Sequence, residues 1–143
     1  MIRTIIGKRK IPAAFEALNR RDIDAFLKSW SDDAAFIYPG QIARSGEHVG
    51  RAAIRGRFEN LLSQFPELRF TVTSVTASRL FDMNGTNTVI AEQEIEATNH
   101  DGYTAHNTGT TSVALRRGKA VHVKDFLFDT GEVWLTAWGA MAE

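Results

Sequence analysis

From residue 15 to residue 39 the chain reads FEALNRRDIDAFLKSWSDDAAFIYP, and this stretch restricts the fold more than any other. Ile11, Phe15 and Leu18 fall at i, i+4 and i+7 with Ala14 in the same stripe, which predicts a helix over about residues 8–19 with one buried face. Asn19-Arg20-Arg21 breaks it. Asp22 is placed to accept the first free N–H groups of a second helix and to sit at its positive end. That helix carries the stripe Ile23, Phe26, Leu27 and Trp30 and closes near Ser31. Residues 34–38 are then short, apolar and aromatic, and Pro39-Gly40 ends them as a strand, since proline has no N–H to give a ladder.

A polar loop over 41–49 leads to Gly50 and a third helix, in which Ile54, Phe58, Leu61, Leu62 and Phe65 are spaced i, i+4, i+7, i+8 and i+11. Pro66 stops it. Beyond that proline the pattern changes to long segments rich in Thr and Val, punctuated by Asn84-Gly85, Asp101-Gly102 and Arg117-Gly118. Four consecutive antiparallel strands follow, over about 68–81, 87–99, 103–116 and 119–128. Asp129-Thr130-Gly131 breaks the last, and Trp134, Trp138 and Met141 predict a terminal helix over about 132–142.

A chain of 143 residues fits one domain, 1–143, large enough to build a core without disulfides or structural metals. It has no cysteine, which excludes thiolate chemistry and is compatible with a cytoplasmic location. Seventeen basic against seventeen acidic residues leave no net field, so no nucleic-acid partner is expected. The basic cluster Arg3, Lys8, Arg9 and Lys10 falls on a short N-terminal arm over about 1–8 or on the solvated first turn of the helix that follows; it has no long apolar run behind it, so no membrane partner is expected either.

Three helices, a short strand between the second and third, and a long antiparallel meander resemble the nuclear transport factor 2-like superfamily. FEALNRRDIDAFLKSWSDDAAF is similar to that superfamily's opening, GRAAIRGRF to its third helix and RRGKAVHVKDFLFD to its last hairpin; FPELRFTVTSV and that hairpin most resemble the SnoaL-like branch, which includes polyketide cyclases. The resemblance implies an α+β fold: a cone-shaped barrel of three N-terminal helices packed on a strongly curved antiparallel sheet. It also implies a pocket for a small hydrophobic or carbonyl-bearing molecule and a homodimer through the outer sheet face. No cofactor is expected. Function does not follow from the scaffold, which hosts isomerases, cyclases, hydrolases and binders alike.

Ketosteroid isomerases share this fold and use an aspartate base with tyrosine and aspartate oxyanion donors. By the resemblance the base position falls on Tyr38, the tyrosine donor on Ala14 and the aspartate donor on Thr111 or Thr110, so that chemistry is excluded. A phenol with a pKa near 10 is a poor base at neutral pH. An aspartate-arginine-aspartate set of the limonene epoxide hydrolase type cannot be placed, although Arg44 or Arg55 would supply its cation.

The SnoaL-like cyclases rest on an acid-base aspartate, and the eligible carboxylate is Asp125. Val121, Val123, Asp125 and Leu127 share one strand face, and if that face is inward an apolar wall would raise the carboxyl pKa. A tight Arg117-Gly118 turn pairs Thr111 with Lys124 and sets Asp125 opposite Thr110, unless a bulge resets the register. Two roles for Asp125 therefore stay open: proton carrier, or exposed or salt-bridged strand residue.

A two-residue loop at Asp101-Gly102 puts Ile90, Glu92, Glu94 and Glu96 on one face with Asn107, Gly109, Thr111 and Val113, which makes Glu92, Asn107 and Thr111 ligand-binding candidates if that face lines the cone. The opposite face, Val89, Ala91, Gln93, Ile95 and Ala97, would then meet a second copy. Histidines 48, 100, 106 and 122 have no metal-ligand spacing, so no metal is expected; His48, after the first strand, is the histidine best placed for the pocket mouth. By the family alignment Trp30 and Tyr38 line the pocket, with Phe58 among its aromatics. Two readings result: cofactor-free acid-base catalysis with Asp125, Tyr38 and His48, or a non-catalytic binding or dimerisation module.

Overall fold

The computed structural model describes residues 2–40, 42, 44–78 and 87–139, with side chains from residue 8 onward. The Asn84-Gly85 turn and the last residues of the expected terminal helix lie outside the described residues. The elements run α1 Ile2–Asn19, α2 Ile23–Leu27, β1 Trp30–Tyr38, β2 Gly46–Val49, α3 Arg51–Gln64, β3 Glu67–Ala77, β4 Asn87–Thr98, β5 Thr104–Arg116, β6 Lys119–Leu127 and α4 Glu132–Trp138. The expected basic arm instead continues α1 to Ile2. No helix among the described residues is long and apolar enough to cross a membrane.

The break after α1 is a tight cap. Asp22 N–H bonds the Ala17 carbonyl at 2.8 Å and Arg21 N–H that of Leu18 at 2.9 Å, with Arg21 at φ 61° in the left-handed region that glycine usually occupies there. Arginine serves because its guanidinium then reaches the carbonyls of Leu62, Phe65 and Pro66 and closes the C-terminus of α3. Asp22 caps α2 through the Ala25 N–H at 3.0 Å, as its position predicts. Helix α2 is shorter than its stripe implies: Trp30 opens β1, where it pairs with Ala120 of β6. Sheet pairing overrides the local helical period there.

One curved, unclosed six-stranded sheet follows the order β2-β1-β6-β5-β4-β3, with β1 parallel to β6 and the other pairs antiparallel. β2 was expected as loop; its polar sequence GEHV conceals an edge strand paired with residues 35–38 of β1. Helix α1 lies against β3, where the Asn19 amide pairs with both backbone groups of Phe70 at 2.9 and 2.8 Å. α3 crosses β1, and Phe26, Trp30, Phe36 and Phe58 interlock with ring centroids 4.5–6.1 Å apart.

Two departures from simple hairpins decide which side chains face inward. The β4–β5 connection runs over 99–103, and Asn99 organises it by accepting the N–H groups of Asp101 and Tyr103, both at 3.0 Å. Five residues reverse the parity expected of two: Gln93 faces Gly109, Ile95 faces Asn107 and Ala91 faces Thr111, so Val89, Ala91, Gln93, Ile95 and Ala97 point into the core and the glutamates point out. Between β5 and β6 the register slips at Ala114/Leu115, leaving Val121 as a bulge, and Thr111 pairs with Asp125.

Candidate functional site

Helices α1 and α3 and the inner sheet face enclose a cavity of about 80 Å³. By a measure in which one water takes roughly 10–15 Å³, that is room for a handful of waters or one small molecule. Its lining is apolar except at a few side chains: Ser29, Tyr38, Arg57, Gln93, Thr111, Asp125 and the two indoles Trp30 and Trp134.

Asp125 reaches the wall because the Val121 bulge turns it inward. Thr111 Oγ1 donates to its Oδ1 at 2.7 Å. Burial pushes the carboxyl up to about 6, against the opposing pull of the Thr111 bond and the Arg57 charge. Behind Thr111 stands Gln93, 2.9 Å away and buried. Its amide has two orientations. With Nε2 toward Thr111, the hydroxyl proton is free for an Asp125 carboxylate. With the amide reversed, Nε2 donates to the carbonyls of Gly109 at 3.2 Å and Ala91 at 3.0 Å, and Oε1 takes the Thr111 proton. A Thr111 hydroxyl so engaged meets Asp125 only as an acceptor, which requires a proton on the carboxyl. The second orientation satisfies every polar atom of Gln93, so the chain Asp125–Thr111–Gln93 is built to hold a neutral acid as readily as a carboxylate. Gly109 leaves room for it: a Cβ there would come within 3.1 Å of both Gln93 Nε2 and Leu127 Cδ2.

Tyr38 closes another side of the cavity. Its hydroxyl accepts from Trp134 Nε1 at 3.1 Å, and burial pushes its pKa up, so it is a neutral phenol with a proton to offer. Arg57 lies over its ring, Cζ 4.2 Å from the centroid, and 4.9 Å from that of Trp138. Burial lowers the Arg57 pKa from its usual value, while Tyr38 and Asp125 oppose the shift.

Of the residues expected at the site, Asp125, Tyr38, Trp30, Phe58 and Thr111 line this cavity. His48, Glu92 and Asn107 do not. His48 is on β2, its Nε2 2.9 Å from the Arg44 carbonyl, because the segment pairs as a strand and does not fold over the mouth. Glu92 is on the solvent side through the reversed β4–β5 parity. Asn107 is inward but clamps the chain leaving β6, donating to the Asp129 carbonyl at 2.7 Å and accepting from Asp129 N–H at 3.0 Å. Arg57 and Gln93 were not anticipated as site residues. Arg57 sits at i+3 from Ile54, on the buried stripe itself; a charge at a core position of a helix was the available signal.

A family model for the SnoaL-like domain matches residues 11–123. The chain belongs to the SnoaL-like family. The match ends two residues before Asp125, so membership of this SnoaL-like protein carries the scaffold and leaves the carboxylate to be argued from geometry. No curated protein matches the chain in sequence. Among solved structures it is similar to Bal32a from a soil-derived mobile gene cassette, at 18% identity and TM-score 0.78 over 92% of this chain and 95% of that one. It is similar also to an NTF2-like protein from Burkholderia pseudomallei, at 18% identity and TM-score 0.75 over 87% and 91% of the two chains. TerC, co-crystallized with polyporic acid, matches at 22% identity and TM-score 0.72 over 87% and 92%. Identities this low establish the shared fold alone.

Proposed function

We propose that the cavity binds a small cyclic or carbonyl-bearing molecule and moves a proton on it through Asp125 without a cofactor. The observation that carries this reading is a carboxyl on the wall of an apolar cavity, hydrogen-bonded to Thr111 and raised to about 6, where it works as a base above that pH and as an acid below it. In the forward step the carboxylate takes a proton from carbon next to the carbonyl. The C–H electrons form a carbon–carbon double bond as the carbonyl π electrons move onto oxygen, giving an enolate. Return of the proton at a conjugated carbon completes an isomerisation, whereas attack of the enolate carbon on a second carbonyl of the same molecule closes a ring, with the proton passing to the new alkoxide. The Tyr38 hydroxyl, held by Trp134, is the donor for that oxygen. TerC's polyporic acid is an instance of a ligand on this fold.

Exchange of α-hydrogens for deuterium in cyclohexanone and 2-tetralone, followed by proton NMR, tests the reading. The protein should accelerate exchange over buffer and Asp125→Asn should return it to the buffer rate. Equal acceleration by the variant would remove Asp125 as the proton carrier; ketones that raise the melting temperature without exchange would leave a binding module. We also propose that two copies pair through the outer sheet face.

A further inference from the structure

We infer that the molecule entering this cavity is an anion, a carboxylate or the enolate of an acidic dicarbonyl, and that its charged oxygen docks on the edge of the Arg57 guanidinium. The inference deepens the reading of Asp125 as proton carrier by naming the substrate's charge, and rests on that reading only for the catalytic step.

Arg57 is 3% exposed and lines the cavity. Two aromatic rings, Tyr38 and Trp138, lie against the guanidinium, and Tyr38 also favours its charge through a side-chain hydrogen bond, but these contacts do not match the in-plane Nε and Nη1 donors. Its Nε and Nη1 have no hydrogen-bond partner among the described residues, and neither has the indole N–H of Trp138 beside it. None of the ion pairs among the described residues includes Arg57. Asp125 lowers the energy of its charge from a distance without pairing with it, and Arg44 adds further positive potential. Burying a cation without a carboxylate partner is costly, and a planar fork of N–H donors matches a carboxylate or a delocalised enolate bidentately. The rest of the wall is apolar, so the ligand that fits presents one anionic end and an apolar body. When such an anion sits on Arg57, the cation that favoured ionised Asp125 is offset by the ligand, which makes the carboxylate a stronger base for taking the proton from carbon and holds that proton for its return.

Direct binding separates this from the catalytic proposal. Acetate and benzoate are titrated against the purified protein by calorimetry and thermal shift at constant ionic strength, with acetamide and benzamide as neutral isosteres. Benzoate or acetate should raise the melting temperature where the amides do not. Arg57→Gln should weaken carboxylate binding at least about tenfold, Arg57→Lys should retain part of it, and Asp125→Asn should bind at least as well as wild type. Carboxylates that bind no better than amides to the wild-type protein would overturn the inference without reference to any variant, as would undiminished binding by a folded Arg57→Gln. Ketone α-exchange that survives in Asp125→Asn would instead count against the proton carrier and leave anion docking standing.

Discussion

The proton on Asp125 links folding to chemistry at one side chain. In the folded state its pKa is about 6, against an ordinary value of 3.8. A raised carboxyl binds its proton more tightly when folded, so its contribution is fully favourable below about pH 4 and is lost as pH rises through 6. The difference is worth roughly 3 kcal/mol. Asp125→Asn should therefore stabilise the protein at pH 8 by an amount approaching that figure, less what the Arg57 charge loses, and by almost nothing at pH 4; melting temperatures across this range decide it. Gln93→Leu should act in the opposite sense on the acid. Without Oε1 to take it, the Thr111 proton is left to the carboxylate, and the Asp125 titration followed by carbon-13 NMR should move down from 6. A residue of this kind was half legible. Asp125 stood out as a carboxylate among valines, but Arg57 was concealed because a helix stripe is read by its apolar members, and nothing in spacing says that a charge takes the place of one.

At the scale of elements, helices and strands follow from local pattern where local pattern is what holds them. Asp22 caps α2, and Pro66 separates α3 from β3. What was not legible was parity. A hairpin's register depends on loop length, and a loop is set by side-chain bonds that sequence spacing does not reveal: Asn99 looks like a strand end, yet its carboxamide holds two loop N–H groups and donates to the Ala137 carbonyl at 3.3 Å. That one residue turns Glu92 out and Gln93 in, and ties the loop to α4. Asn99→Ala should cost about 2–4 kcal/mol, since partly buried donors and a helix-end carbonyl lose their partner together. Urea unfolding should show a lower midpoint with an unchanged slope, and a shift under 1 kcal/mol would show that the loop holds its own geometry. The Val121 bulge does the same at the next hairpin, where one extra residue brings Asp125 opposite Thr111.

For the whole molecule, the same parity that fills the inner face determines the outer one. With Val89, Ala91, Ile95 and Ala97 spent on the core, the face available for the proposed pairing of two copies is the alternate set: Ile90 on β4 and Phe126 on β6, with Phe128 just beyond at 91% exposed. These share the surface with the acidic row Glu92, Glu94 and Glu96 on β4 and the base Lys124 on β6. A two-fold axis brings a patch against itself reversed, so a surface with acids on one strand and a base on another can pair sign against sign around an apolar centre. The cavity opens on the other side of the sheet and takes no residue from the partner in this arrangement, so assembly and ligand binding should separate. Light scattering should give twice the 15.9 kDa chain mass for the wild type, and Phe126→Glu with Phe128→Glu should give a single-chain mass with benzoate affinity unchanged. A wild type that elutes at 15.9 kDa across micromolar concentrations would mean these phenylalanines serve another contact, while a double variant that loses benzoate would mean that pairing across the outer face shapes the cavity behind it.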